Sequence, residues 1–147
     1  MIRPQPFSLL LPLLFLSACG SAKVTVEDAV VRLPIIAGRP GAAYFTLNGG
    51  DKADRLVAVE TKAARRVELH EGGMSGGMMT MRRIDGVDVP AGGKAVFAPG
   101  GNHAMLFDIS PDLKPGGKTT LTLRFASGVA ATAEARVTAT TAVGNSH

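Results

Sequence analysis

The chain has 147 residues, a formal net charge of +4, one cysteine and no tryptophan. That length suits one domain, which buries roughly two-thirds of its unfolded surface and needs neither disulfides nor a metal to fold. Acidic residues are interspersed among the basic ones, and Arg65-Arg66 and Arg82-Arg83 are only short pairs, so no basic stripe points to nucleic acid.

In chain order, the first segment is MIRPQPFSLLLPLLFLSACG. A single positive charge at Arg3 precedes an apolar run from Phe7 to Leu16 and then small residues. This is the make-up of a secretory signal, and the run is too short to span a bilayer, which takes ~20 apolar residues. Leu16-Ser17-Ala18-Cys19 resembles the lipobox of bacterial lipoproteins, where the cysteine becomes the first mature residue and carries the acyl chains. The expectation is a lipoprotein signal over residues 1–18, lipidation at Cys19 and a short tether over 19–22. A single domain then fills 23–140 and a flexible tail follows over 141–147, in a protein held at a membrane on the periplasmic side. Lipidation also accounts for the lone cysteine, which has no partner for an internal disulfide.

Beyond the tether, short runs rich in Val, Thr, Phe and Leu alternate with Gly/Pro/Asp/Asn breaks. KVTVEDAVVRL stops at Pro34, and AAYFTLNGG ends on the turn signal Asn48-Gly49-Gly50. DRLVAVET and ARRVELHE follow, then MMTMRRI and a short VDV. KAVFAPGG and HAMLFDIS are parted by Pro99-Gly100-Gly101-Asn102, and KTTLTLRFA and ATAEARVTAT close the domain around Ser127-Gly128. Eight to ten short strands with regular turns predict an all-β, antiparallel sandwich or barrel. The glycine-rich stretch Gly72–Gly77 reads as a loop between two of the strands.

Chemistry concentrates in two places. The histidines are His70, His103 and His147, and four of the six methionines lie between Glu68 and Met81. On a strand, His103 and Met105 point to one face while Ala104 and Leu106 point to the other. Met79 and Met81 also share a face, so a hairpin can bring one of them across from His70. Thioether sulfur selects soft ions, above all Cu(I), and imidazole accepts copper readily. Neither donor has to lose a proton from sulfur, and neither is lost to disulfides in an oxidising compartment. Zinc sites use Cys, His and carboxylate instead. A blue-copper centre needs a thiolate, and the one cysteine lies at the end of the signal. An enzyme is not expected. There is no usable cysteine nucleophile, the histidines are too few for a superoxide dismutase-type cluster, and a mature Cys19 rules out an amino-terminal copper brace.

The order His, ten residues, Met, twenty-one residues, His, one residue, Met falls on His70, Met81, His103 and Met105. With VELHE, MMTMRRI and VPAGGKAVFAPGGNHAML around it, the pattern resembles the PCuA(C)-type periplasmic copper chaperones, over about Val24 to Ala126. The resemblance implies a cupredoxin-like (Ig-like) β-sandwich binding one Cu(I) per monomer, and a carrier that passes copper on for assembly of the CuA centre of cytochrome c oxidase. Its implied partners are a copper-accepting protein, such as oxidase subunit II or a Sco-type assembly factor, and the membrane through the N-terminal lipid. Copper sequestration or resistance, and a metal-free scaffold, are the alternatives. On this reading Met79 packs beside the site, Glu71 and Asn102 orient the imidazoles, Met78 enters the core, and Met74 is an exposed tip, with a transient contact to copper during transfer as its alternative. The lone His147 is too little for a second site in the tail.

Overall fold

The computed structural model describes residues 20–141, so the segment read as a lipoprotein signal, with Cys19, and residues 142–147 with His147, lie outside the described residues. Ten strands follow one another: β1 (Thr25–Leu33), β2 (Gly41–Asn48), β3 (Asp54–Glu60), β4 (Ala64–Ser75), β5 (Met78–Arg83), β6 (Val87–Val89), β7 (Lys94–Phe97), β8 (Asn102–Ile109), β9 (Lys118–Phe125) and β10 (Ala130–Ala139). Each extended run read from the sequence is one of these strands, and among the described residues no helix forms.

The strands hydrogen-bond in the order β5-β4-β8-β7-β2-β1-β10-β9-β3-β6, with β8 also reaching β2 beyond the end of short β7. This sheet folds over so that β3 meets β4 and β6 meets β7, which makes the two layers of a β-sandwich. Pairing is antiparallel except between β1 and β10 and between β7 and β8, where it is parallel. The alternation of each strand explains which face turns inward. Ala43, Phe45 and Leu47 of β2 meet Leu121, Leu123 and Phe125 of β9 and Val137 of β10 in one core. Phe45 and Phe97 stack there at 4.4 Å between ring centroids. Each such buried Leu or Phe contributes about 1.5–3 kcal/mol relative to exposure.

One expectation is corrected. Gly72–Gly77 is not a loop, because β4 continues to Ser75 and pairs with β5 through Gly72–Met81 and Gly73–Thr80. Only Gly76 and Gly77 turn, both at positive φ, 57° and 78°. A two-residue turn of that kind matches the twist of the flanking strands. The resulting hairpin projects past the sandwich, so every residue of β5 is exposed. Met78, expected in the core, is therefore on the surface.

At the other end, the first residues described are already held. The Ala22 N–H donates to the Asp51 carboxylate at 2.7 Å, and the Asp51 N–H donates to the Ala22 carbonyl at 3.0 Å.

Candidate metal centre

Three strands build the site. In β4 and β8, Leu69 lies opposite Ala104, and both turn into the core. Alternation then sends His70 and His103, the next opposed pair, to the other face. Their rings lie side by side with centroids 5.8 Å apart. Glu68 faces Met105 one step along, and on the far side of β4 Gly72 faces Met81. His70, Met81, His103 and Met105 thus share one face of three adjacent strands. Met79, Met81, His103 and Met105 line a groove of about 400 Å³ that continues over Tyr44, Pro34 and Pro40. His70 is not part of that lining and adjoins it through the His103 ring.

The imidazoles are locked by what they touch. The Gly101 carbonyl accepts from Nδ1–H of His103 at 2.9 Å, which leaves Nε2 with its lone pair. The same carbonyl accepts the Gly72 N–H at 3.0 Å, tying the loop ahead of β8 to β4. Only glycine fits at 72, since a Cβ there would lie 2.8 Å from the Gly100 carbonyl oxygen. His103 is consequently buried, although it points away from the core.

His70 is held by Glu68, whose Oε2 lies 3.2 Å from Nε2. The hydrogen bond to His70, with Arg66 and Arg83 nearby, holds the Glu68 carboxyl below the usual carboxylate range. Arg66 lies 3.3 Å and Arg83 3.8 Å from its other oxygen, and Arg66 is itself stacked over the Phe107 ring at 4.2 Å. An ionised carboxylate only accepts, so Nε2 carries the proton and Nδ1 keeps the lone pair. That Nδ1 is buried and has no hydrogen-bond partner. A buried polar atom left unpaired costs about 1–3 kcal/mol, and a bound metal ion is one partner that would use it.

Two further assignments are corrected. Glu71 and Asn102 are opposed to one another on the opposite face of the sheet from the imidazoles. Glu71 pairs with Arg82 instead, and both residues line a separate polar groove. The rings are oriented by Glu68 and the Gly101 carbonyl. Strand alternation could have shown this: Glu68 is two residues from His70 and shares its face, whereas Glu71 is one residue away. Met79 lines the same groove as Met81, His103 and Met105, and Met74 is exposed at the hairpin tip. Among the described residues no group of three or more His, Cys, Asp and Glu side chains is placed to hold a metal ion. Glu68 beside them is already engaged by His70, Arg66 and Arg83, and the soft donors near the two imidazoles are thioethers. Two neutral nitrogen lone pairs with two thioethers fit a soft monovalent ion and suit a hard one poorly.

The family described as "Putative lipoprotein LpqE-like" matches residues 24–137. A relative from Leifsonia xyli subsp. xyli, described as "Putative lipoprotein Lxx21020", is 37% identical over 82 residues, which are 55% of this chain and 49% of that protein. The chain therefore spans about half the length of that relative. Among solved structures, the copper-bound PCuAC domain of PmoF2 is 27% identical, superposes with a TM-score of 0.67, and matches over 82% of this chain and 97% of that one. The Cu(I) form of DR1885 from Deinococcus radiodurans is 31% identical with a TM-score of 0.64, over 83% of each chain. The sandwich, its strand pairing and these matches lead to one conclusion: the chain belongs to the LpqE-like family and is a PCuA(C)-type domain.

Proposed function

We propose that this protein is an extracytoplasmic Cu(I) carrier, binding one ion per chain through His70, Met81, His103 and Met105 and releasing it by ligand exchange. The observation that carries the reading is the imidazole pair. One ring has its free nitrogen fixed by a carbonyl, and the other has a buried nitrogen with no partner, on the same face as two thioethers. Met81 is 65% exposed, so an acceptor's ligand can reach the ion without unfolding any strand. This arrangement supports transport of copper as cargo rather than catalysis.

The recipient follows from the family resemblance alone: a copper-accepting protein in the assembly of the CuA centre, namely oxidase subunit II or a Sco-type factor. Cys19, in its lipobox, supplies the membrane anchor on the periplasmic side. Both are part of the proposal. Replacing Cys19 by Ala should move the protein from the membrane to the soluble fraction, and a variant still firmly membrane-bound rules out the lipid.

The central experiment is anaerobic Cu(I) titration with X-ray absorption at the copper edge. One equivalent bound by two nitrogen and two sulfur scatterers is the expected result. Ligation by nitrogen and oxygen alone, or no tight binding, overturns the carrier reading.

A further inference from the structure

The β4–β5 hairpin holds more thioethers than the four-residue centre uses. Met74 and Met79 are directly opposed in the hairpin register, one pair beyond Gly73–Thr80 and two beyond Gly72–Met81. Opposed residues share a face and have Cβ atoms about 4.5–5.5 Å apart. Methionine is unbranched with three rotatable bonds, so two such sulfurs can converge on one ion. Met79 and Met81 are two apart on β5, which keeps them on that face, and both line the groove with His103 and Met105. From His103 outward the face carries His70, then Met81, then the Met74–Met79 pair at the tip.

These side chains are 69% exposed at Met74 and 72% at Met79. Neither packs in the core, so apolar burial does not explain them. What a solvated thioether pair offers is two soft, neutral donors with no charge. Calcium and magnesium require oxygen ligands, and zinc requires Cys, His or carboxylate; Cu(I) accepts thioethers.

Resting on the carrier reading, we infer that Met74 and Met79 form a second, outer Cu(I) station, from which the ion steps by way of Met81 to the imidazoles. The order of donors gives the direction. Two thioethers hold the ion more weakly than two thioethers with two imidazoles, so copper captured at the tip runs inward. Met81 lies between the two positions and can keep one bond to the ion during the step. No bond to copper has to break before the next one forms.

The test uses the full chain labelled with ¹³C at the methionine methyl groups and titrated with Ag(I), a soft monovalent ion that does not change redox state. The first equivalent should shift the Met81 and Met105 methyls, and the second should shift Met74 and Met79 together. In Met74→Leu/Met79→Leu, which keeps apolar volume at exposed positions, the second response is lost, the first is kept, and Cu(I) uptake from a chelator complex slows. Met74 and Met79 methyls that stay fixed through the second equivalent overturn the outer station. So does a double variant that loads at the parent rate, and if that variant then fails to pass copper to an acceptor protein, the tip is a docking surface instead. A first equivalent that bypasses Met81 and Met105 strikes the four-residue centre and the inward step with it; the tip pair is still judged by its own shifts.

Discussion

At Glu68 the carboxylate meets His70 on one oxygen and Arg66 and Arg83 on the other. It fixes which nitrogen of His70 is free, and groups in that position typically change metal affinity 10–100-fold when removed. Glu68→Ala should accordingly weaken Cu(I) binding by about that factor in competition against a chelator. Glu68→Gln, which retains a carbonyl acceptor for Nε2–H, should recover much of the loss; equal losses in the two variants would mean that tautomer control is not the cause. Met81→Ile removes the proposed thioether donor from an exposed position. Its affinity should fall steeply while thermal stability stays within about 0.5 kcal/mol, as for other surface changes. Unchanged affinity would transfer the role to Met79. At this scale the candidate donors stand out in the sequence because their chemistry and spacing are both unusual. Glu68 and the Gly101 carbonyl were not, since a carboxylate two residues from a histidine is ordinary and a backbone oxygen leaves no mark in sequence.

The element that matters most is the seam where β4 receives the loop before β8. Gly72 gives its N–H to the Gly101 carbonyl and leaves open the space that the Gly100 carbonyl fills. In Gly72→Ala the methyl must displace that loop, and the hydrogen bond to His103 goes with it. The expected outcome is weaker Cu(I) binding, and faster amide hydrogen exchange around 100–103 than elsewhere in the sandwich. Exchange that is unchanged there would show that the loop tolerates the methyl. The ten strands were legible because each run alternates or is bounded by strong turn residues. Gly72–Gly77 was misread for a physical reason: glycine content signals a turn, yet only Gly76 and Gly77 adopt positive φ. Gly72 and Gly73 are extended and paired, with Gly72 chosen for closeness to another backbone. That closeness depends on residues almost thirty positions away.

Across the whole molecule, ion pairs and hydrogen bonds join segments far apart in the chain. The Arg124 guanidinium donates to Glu60 at 2.9 Å, and this hydrogen bond lowers the Glu60 pKa from an ordinary 4.5. Desolvation works against Asp54, but bonds from Ser127 and from the Arg55 and Ser127 backbone bring its pKa below an ordinary 3.8. A carboxyl with a depressed pKa stabilises the fold fully above its unfolded value and loses that contribution as pH falls through the folded one. Thermal stability should therefore be level at neutral pH and decline on acidification below about pH 4.5. Glu60→Gln should flatten part of that decline in calorimetry, and an unchanged slope would remove Glu60 from the account. The parallel β1–β10 and β7–β8 pairings lie at this scale and were not legible, because strand direction is decided by which distant partner is met. The clamp between Ala22 and Asp51 also acts on the whole molecule. It sits where Thr25 of β1 meets Asn48 of β2, whereas Met105 meets Ala42 at the opposite end of β2. At about 3.4 Å per residue, the strand between them is roughly 20 Å long. On the proposed lipidation at Cys19, Gly20 and Ser21 are the residues between the anchor and the clamp, and Met105 lies at the end of β2 away from it. On that same proposal, an acceptor docking at the Met105 end has to present its own site at that height above the lipid headgroups, and one lying flush with them is out of reach of that end.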